Sequence, residues 1–243
     1  MPKFDILRVK DKSDSYYTKM ERIFDLPMRL IIVGKSQLSG KSTVILNLLL
    51  RNKYYRGKWK PENIWIVSPN KMDNKLKILS EELDIPEQNR MSFDEDTIDA
   101  LYDILEEEAV SKVESKKKPD NSLIIFDDCA YDSSLKNKTT GIISKIAMNG
   151  RHINLSSIFT TQKYSLLGTG LRNNITGAIL FATSFKELDL IEADLNYLED
   201  KKAFIKLFRA NTKQKNSFLV VNFSNDATER YLNSSFETIQ LKD

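Results

Sequence analysis

Histidine and cysteine are nearly absent from this chain of 243 residues, which has only His152 and Cys129. A single cysteine excludes an internal disulfide and suits a reducing compartment. One histidine and one cysteine are also too few to build a structural zinc site. Long apolar runs are lacking, since none approaches the roughly 18 residues that indicate a membrane-spanning helix. The charged N-terminus has no apolar stretch of the kind found in a signal peptide.

A large excess of charge of either sign is missing as well. The chain has 37 basic and 34 acidic residues, which gives a formal net charge of +3. This balance neither requires nor excludes a nucleic-acid partner, so any basic surface must be local. The hydrophobic content of 41% is sufficient for one core of good size.

The sequence does contain a candidate phosphate-binding loop. Residues 33–43 read Val-Gly-Lys-Ser-Gln-Leu-Ser-Gly-Lys-Ser-Thr, and they lie between two apolar runs. This order predicts a strand, a tight loop and a helix, which is the context of a P-loop. Lys41 would reach the β- and γ-phosphates, Ser42 would bind Mg²⁺, and Gly40 would let the backbone approach the phosphates. The predicted nucleotide-binding residues are Gly34, Lys35, Ser36, Gln37, Leu38, Ser39, Gly40, Lys41, Ser42 and Thr43.

This loop differs from the usual P-loop pattern in one respect. Counting back from Gly40, the first glycine of the pattern should be residue 35, but that residue is Lys35. The nearest glycine is Gly34, so the loop is one residue longer than usual. The alternative to a phosphate-binding loop is an accidental Gly-Lys-Ser turn.

A pair of carboxylates follows a second apolar run. Residues 123–128 read Leu-Ile-Ile-Phe-Asp-Asp and predict a buried strand that ends in two acids. We expect Asp127 to hold the Mg²⁺ shell beside Ser42, and Asp128 to orient or deprotonate the attacking water. Adjacent carboxylates repel each other when desolvated, so a protein keeps them where a cation binds. The alternative is a strand-end turn with two solvated aspartates.

Further candidates follow in the second half of the chain. Gln162 ends the predicted strand of residues 156–161, where its amide could contact the γ-phosphate or position water. Arg151 and Arg172 could each act as an arginine finger, because the permanently charged guanidinium fork suits the γ-phosphate. The alternative for Gln162 is a strand-end residue that caps the next loop. The alternative for Arg151 and for Arg172 is an arginine on the surface without a role in catalysis.

One further motif match is discarded. Residues 70–73, Asn-Lys-Met-Asp, match the guanine-binding pattern of GTPases. In GTPases the pattern follows the Mg²⁺-binding strand, whereas here it precedes that strand, and the acidic motif is Asp-Asp rather than Asp-x-x-Gly. We therefore interpret the match as a chance occurrence at the start of a polar helix.

Predicted strands and helices alternate along the chain. The predicted strands cover residues 28–33, 64–67, 123–126, 156–161 and 177–182, and the predicted helices cover residues 41–52, 71–84, 94–115, 139–148 and 185–197. Residues 204–209 and 218–223 predict a C-terminal β-hairpin. Strand–helix alternation after a P-loop predicts an α/β fold with a doubly wound, mostly parallel sheet. We expect one ATPase domain, residues 27–243, after a polar N-terminal lead-in, residues 1–26.

Taken together, the motifs resemble the FtsK–HerA superfamily of P-loop motors. They look most like the viral genome-packaging ATPases of poxviruses, giant DNA viruses and virophages. The resemblance spans residues of about 28–225 and rests on residues 33–43, 123–128, 150–156 and 160–174. It implies a RecA-like ASCE core, ATP and Mg²⁺ as cofactors, and an acidic pair and strand-end glutamine that serve hydrolysis. It also implies an arginine that reaches a neighbouring subunit's nucleotide, by match Arg151 and secondly Arg172.

The function implied by this resemblance is a Mg²⁺-dependent ATPase that moves double-stranded DNA into a viral capsid, in the host cytoplasm or on the virion. The implied partners are duplex DNA, a capsid or portal component, and further copies of the chain in a ring. DNA would be contacted at its phosphates, with Lys136, Lys138, Lys163, Lys213 and Lys215 as candidates. The alternatives are a P-loop nucleotide kinase, which would need an arginine-rich lid that the sequence lacks, and an ATP-binding assembly scaffold.

Overall fold

Strands and helices alternate along the chain in the computed structural model, which describes residues 12–21, 23–36, 39–69, 73–129 and 141–240. The strands are β1 Arg29–Val33, β2 Ile64–Val67, β3 Arg90–Met91, β4 Ser122–Phe126, β5 Leu155–Thr161, β6 Gly177–Phe181, β7 Phe218–Asn222 and β8 Tyr231–Leu232. The helices are α1 Lys41–Leu50, α2 Asn74–Glu82, α3 Glu95–Glu114, α4 Ile142–Asn149, α5 Thr169–Arg172, α6 Phe185–Leu195 and α7 Lys201–Thr212. None of the helices in these ranges is long and apolar enough to cross a membrane.

The strands form one sheet in the order β3-β2-β4-β5-β1-β6-β7-β8. Pairing is parallel from β3 to β6, and β7 and β8 add antiparallel strands at one side. Because β1, β4 and β5 run in the same direction, the loops that follow them meet at one edge of the sheet. The register pairs Val33 with Thr161 and Phe126 with Phe159, so Gly34, Asp127 and Gln162 all follow strand ends at that edge.

Both faces of the sheet are covered, which accounts for the nearly continuous apolar character of the strands. On one face, alternate strand residues such as Ile31 and Ile124 pack with apolar side chains of α3, α4, α6 and α7. On the other face, the intervening residues such as Leu30 and Leu123 pack with α1 and α2. Successive strand residues point to opposite faces, so each strand contributes to both cores. The prediction of a doubly wound, mostly parallel α/β sheet is confirmed.

The segment before β1 contributes to the second of these cores. Ile23, Phe24 and Leu26 are buried there, and the Tyr55 hydroxyl donates to the Phe24 carbonyl at 2.6 Å. Gly177 accommodates the Phe24 ring, because a Cβ on residue 177 would lie 2.2 Å from it. The division into a lead-in, residues 1–26, and an ATPase domain, residues 27–243, stays a prediction.

Most predicted elements coincide with observed ones within a few residues, but the strand predicted over 204–209 is wrong. These residues lie in α7, where Phe204 and Phe208, four residues apart, are both buried on one helix face. The antiparallel pair at the C-terminal end is formed instead by β7 and β8. The two-residue strands β3 and β8 were not predicted, since so short a segment carries no periodicity.

Candidate functional site

The loop between β1 and α1 folds back on itself to form a cradle. Gly34 continues the ladder, with its N–H donating to the Thr161 carbonyl at 3.0 Å. A Cβ on residue 34 would lie 2.6 Å from the Cβ of Ser39, so only glycine permits this close approach. The Ser39 hydroxyl donates to the Lys35 carbonyl at 2.8 Å. Gly34 therefore serves as the first glycine of a lengthened loop, while Gln37 and Leu38 lie outside the described residues.

The end of the loop directs a lysine into the interior. Gly40 has φ +84°, a left-handed conformation that glycine adopts without strain, and it is the N-cap of α1. Lys41 follows as the first residue of α1 and is only 6% exposed. Its Nζ donates to the Gly34 carbonyl at 3.0 Å and lies 3.4 Å from Oδ2 of Asp128. The predicted lysine and the predicted acid are therefore neighbours across the site.

Asp127 lies at the end of β4 in a buried position. Its N–H donates to the Val67 carbonyl at 2.9 Å, and its Oδ1 accepts from the Thr160 hydroxyl at 2.8 Å. Burial, together with the neighbouring charges of Asp128 and Asp73, raises the pKa of Asp127 to about 6, although the Thr160 hydroxyl and Lys41 act in the opposite direction. The ionised form of Asp127 is therefore destabilised unless a cation binds beside it in addition to Lys41.

Asp128 continues the turn in a conformation that is uncommon for a residue with a side chain. Its φ is +48°, and its N–H donates to the Thr160 hydroxyl at 3.0 Å. Its Oδ1 is buried and has no hydrogen-bond partner among the described residues. Because buried carboxylate oxygens are nearly always hydrogen-bonded, this atom is available to a ligand or a water molecule.

These side chains fit a magnesium ion that is shared with a phosphate. The chain has no cluster of three or more His, Cys, Asp or Glu side chains suited to a metal within the described ranges. Mg²⁺ is commonly held by one or two protein ligands, with waters and substrate phosphates completing its shell. Ser42, in the first turn of α1, and Asp127 face the same cavity and can supply such ligands.

The cavity beside the loop differs in character between its two ends. It has a volume of about 930 Å³ and extends from Lys41, Asp127 and Asp128 along α1 to Tyr54 and Phe236. The rings of Tyr54 and Phe236 lie 5.3 Å apart. A cavity of this size, charged at one end and aromatic at the other, suits a nucleotide. Sequence reasoning missed the aromatic end, because nothing in the sequence connects Tyr54 with Phe236.

Three other lining residues come from segments that the sequence analysis did not assign to the site. Asp73 and Lys75 lie at the start of α2, and Asn216 lies in the turn before β7. Residues 70–72 of the discarded guanine-binding match lie outside the described residues, but Asp73 itself faces the cavity. Strand direction explains this position, since β2 runs parallel to β4 and its following loop reaches the same edge.

Gln162 and Arg172 differ in how they relate to this cavity. Gln162 directly follows β5. The register of β1 and β5 places it opposite Gly34, but it is not one of the described residues that line the cavity. Arg172 forms an ion pair with Asp194 and lies over the ring of Tyr164, 5.4 Å from its centroid. Its guanidinium is thus engaged by side chains of the same chain.

Arg151 lies at the opposite edge of the sheet from the loop. It belongs to the short helix Gly150–Ile153, which immediately precedes β5. It lines a separate cavity of about 430 Å³ with Arg29 and Thr176, which lie at the start of β1 and just before β6. Burial and the nearby charge of Arg151 lower the pKa of Arg29. Arg151 is exposed, and it lies before β5, at the opposite end of the strand from the loop that follows β1.

The predicted DNA-contacting lysines are dispersed. Lys163 and Lys213 are exposed, after β5 and α7 respectively. Lys215 is also exposed, but it lines the cavity beside Asn216 and so lies at the same end of the molecule as Lys41. Lys136 and Lys138 lie outside the described residues.

Structures of similar fold include viral packaging enzymes. The genome packaging NTPase B204 from Sulfolobus turreted icosahedral virus 2, in complex with AMPPCP, is 20% identical and has a TM-score of 0.53 over 82% of this chain and 93% of that chain. B204, the DNA-packaging ATPase from Sulfolobus turreted icosahedral virus, is 20% identical, with a TM-score of 0.52 over 82% and 94%. EssC (ATPases 2 and 3) from Geobacillus thermodenitrificans is 18% identical, with a TM-score of 0.52 over 72% and 36%. The chain therefore has the P-loop NTPase fold.

Sequence comparison identifies the family. No curated protein sequence shows significant similarity to the chain. A family model described as Poxvirus A32 protein matches residues 16–234, which is most of the chain. The predicted resemblance to the poxvirus type of packaging ATPase is confirmed by this match, and the chain belongs to the Poxvirus A32 protein family.

Proposed function

We propose that this protein is a Mg²⁺-dependent ATPase motor that drives double-stranded DNA into a viral capsid. The observation that carries the proposal is the convergence of Lys41, Asp127 and Asp128 beside a glycine-bounded loop at one edge of a parallel sheet. Membership of the A32 family and the likeness of fold to packaging ATPases support the same reading. The motor would work where virions assemble, in the host cytoplasm or on the particle.

Each side chain has a role that follows from its position. Lys41 would neutralise the β- and γ-phosphates from the interior of the loop. Ser42 and Asp127 would hold Mg²⁺, which when bound would supply positive charge to offset the charge that develops on the transferred phosphoryl group. Asp128 has one oxygen near Lys41 and another that is buried without a hydrogen-bond partner among the described residues, and it would orient or deprotonate the attacking water. Gln162 would sense the γ-phosphate from the end of β5.

The position of Arg151 favours a role in another subunit. Its own phosphate loop follows the carboxyl ends of the parallel strands, whereas Arg151 precedes β5 at their amino ends. We infer that subunits assemble so that Arg151 of one reaches the γ-phosphate held by the next, and that the assembly is a ring. Arg172 is the second candidate, but its engagement with Asp194 makes it less available.

ATP hydrolysis measured with and without duplex DNA tests the function. We expect the rate of ATP hydrolysis to rise on addition of duplex DNA of any sequence. We also expect the affinity for DNA to fall steeply with salt concentration, because the protein would contact the DNA phosphates. Lys41→Ala is the control, since its basal and stimulated rates should both collapse. A rate that no nucleic acid changes would refute the motor and favour the assembly scaffold. Phosphoryl transfer to an added nucleoside monophosphate would favour the kinase.

A further inference from the structure

The first turn of α2 carries a lysine that reaches across to the phosphate loop. Lys75 is the second residue of α2, and its Nζ donates to the Thr43 hydroxyl at 2.8 Å. Thr43 is the third residue of α1, directly after the predicted Mg²⁺ ligand Ser42. Both Lys75 and Thr43 line the cavity that also contains Lys41. Two lysines therefore approach the same loop, from its interior and from its open side.

The position of α2 is fixed by its apolar side. Leu76 and Leu79 are buried in the same core as Ile45 and Leu48 of α1. Asp73 caps the helix, with Oδ1 accepting from the N–H groups of Lys75 and Leu76 at 2.8 and 3.0 Å. The carboxylate nearest to Lys75 in sequence is thus occupied by backbone donors, and the ammonium group is directed towards α1.

Lys75 shares the cavity with the carboxylates of Asp73, Asp127 and Asp128 but forms an ion pair with none of them. Its only hydrogen-bond acceptor among the described residues is the neutral Thr43 hydroxyl, and no carboxylate there lies within ion-pair distance. The group stands at the N-terminus of α1, which has neither an acidic cap nor an acidic residue in its first turn, whereas the N-terminus of its own helix is capped by Asp73. The N-terminus of α1 carries partial positive charge and disfavours a cation. A cation held at such a place indicates an anion as its intended partner.

We propose that Lys75 is a second phosphate-binding lysine, which contacts the α- and β-phosphates of the nucleotide at the open side of the loop. This role rests on the nucleotide-binding function proposed above. Lys41 is buried and lies against Asp128, at the end where the γ-phosphate would react. Lys75 lies at Thr43, two residues after Lys41 along α1. On nucleotide binding its ammonium would exchange the Thr43 hydroxyl for phosphate oxygens, which make stronger, charge-assisted hydrogen bonds.

The test compares dissociation constants for ATP and ADP in the whole chain and in three variants. Lys75→Ala should raise Kd about tenfold for both nucleotides alike, because the α- and β-phosphates are common to them and one charged hydrogen bond is lost. Lys75→Arg should retain most of the affinity. Lys77→Ala is the matched control, since Lys77 is on the same helix, is 62% exposed and pairs with Glu81 at 3.8 Å. Its Kd should stay within twofold of the wild-type value.

A melting curve separates binding from a merely structural contact. If Lys75 only tethers α2 to α1, Lys75→Ala should lower the melting temperature of the nucleotide-free protein and leave Kd unchanged, which would overturn the proposal. An equal loss of nucleotide affinity in Lys75→Ala and Lys77→Ala would overturn the proposal as well, because it would show an effect of net charge. In either case ATP binding by the wild-type protein would leave the proposed function intact. A wild-type protein that binds no nucleotide would instead overturn both.

Discussion

Asp127→Asn is expected to stabilise the nucleotide-free protein while it weakens the proposed Mg²⁺ site. Asp127 is 5% exposed, and burial is the main reason that its pKa is raised from 3.8 to about 6. A folded state that holds the proton more tightly than the unfolded state loses stability as pH rises through this interval. The penalty is absent below about pH 4 and complete above about pH 6. The asparagine amide carries no charge, so the variant escapes this penalty.

The size of the effect follows from the interval between the two pKa values. From 3.8 to about 6 is roughly two units, and at about 1.4 kcal/mol per unit the penalty at neutral pH is about 3 kcal/mol. The new amide keeps an oxygen that can accept from Thr160, but it also buries an NH₂ group, which offsets part of the gain. We expect a net gain of about 1–3 kcal/mol, or roughly 2–10 °C in melting temperature for a protein of this size.

Thermal melting of both proteins without Mg²⁺ or nucleotide, from pH 4 to 8, provides the measurement. The variant should melt higher at pH 8, and the difference should vanish near pH 4. With saturating Mg²⁺ and ATP the wild-type protein should instead have the higher melting temperature, because only its site gains the full binding energy. Glu107→Gln, which removes an exposed carboxylate on α3, is the control and should change little at any pH. A variant that melts lower than wild type at pH 8 would refute the reasoning.

Three further predictions concern hydrolysis. Lys41→Ala should abolish ATP binding and phosphate release. Lys35→Ala should reduce them much less, because Lys35 is exposed at the loop entry. Equal losses of ATP binding in the two variants would contradict the assignment of the phosphate loop. Asp128→Asn should still bind Mg²⁺ and ATP but hydrolyse about 10²–10⁴-fold more slowly, and a normal rate would remove Asp128 as the base. Arg151→Ala should bind ATP yet lose about 10³–10⁵ in rate, and mixing it with Lys41→Ala under assembling conditions should restore part of the activity.

The sheet and most of the site follow from sequence, because the relevant signals are local. An apolar strand, a loop with Gly-Lys-Ser and an apolar helix are contiguous in residues 30–50, and the acidic pair is contiguous with β4. Parallel pairing then brings these strand ends together without further information. The role of Gly34 could not be predicted from the usual P-loop spacing, because it depends on the close contact with Ser39 in the folded loop.

The elements that sequence reasoning missed depend on contacts between distant segments. Residues 204–209 contain apolar residues that suit either a strand or a helix, and their packing beside Tyr231 decides in favour of α7. Lys75 looked like one of many surface lysines, and only the packing of α2 against α1 brings it to Thr43. The aromatic end of the cavity requires Tyr54 and Phe236, which are far apart along the chain.

The separation of Arg151 from the phosphate loop is a consequence of strand direction rather than of any local feature. β5 runs from Leu155, four residues after Arg151, to Thr161, whose carbonyl accepts from the N–H of Gly34 at the start of the loop. At about 3.3 Å per residue, these ends lie about 20 Å apart, which is farther than an arginine side chain reaches. A finger at residue 151 can therefore act only on a nucleotide held by another copy. If Arg151 has this role, hydrolysis requires assembly, and an isolated subunit would bind ATP without turning it over.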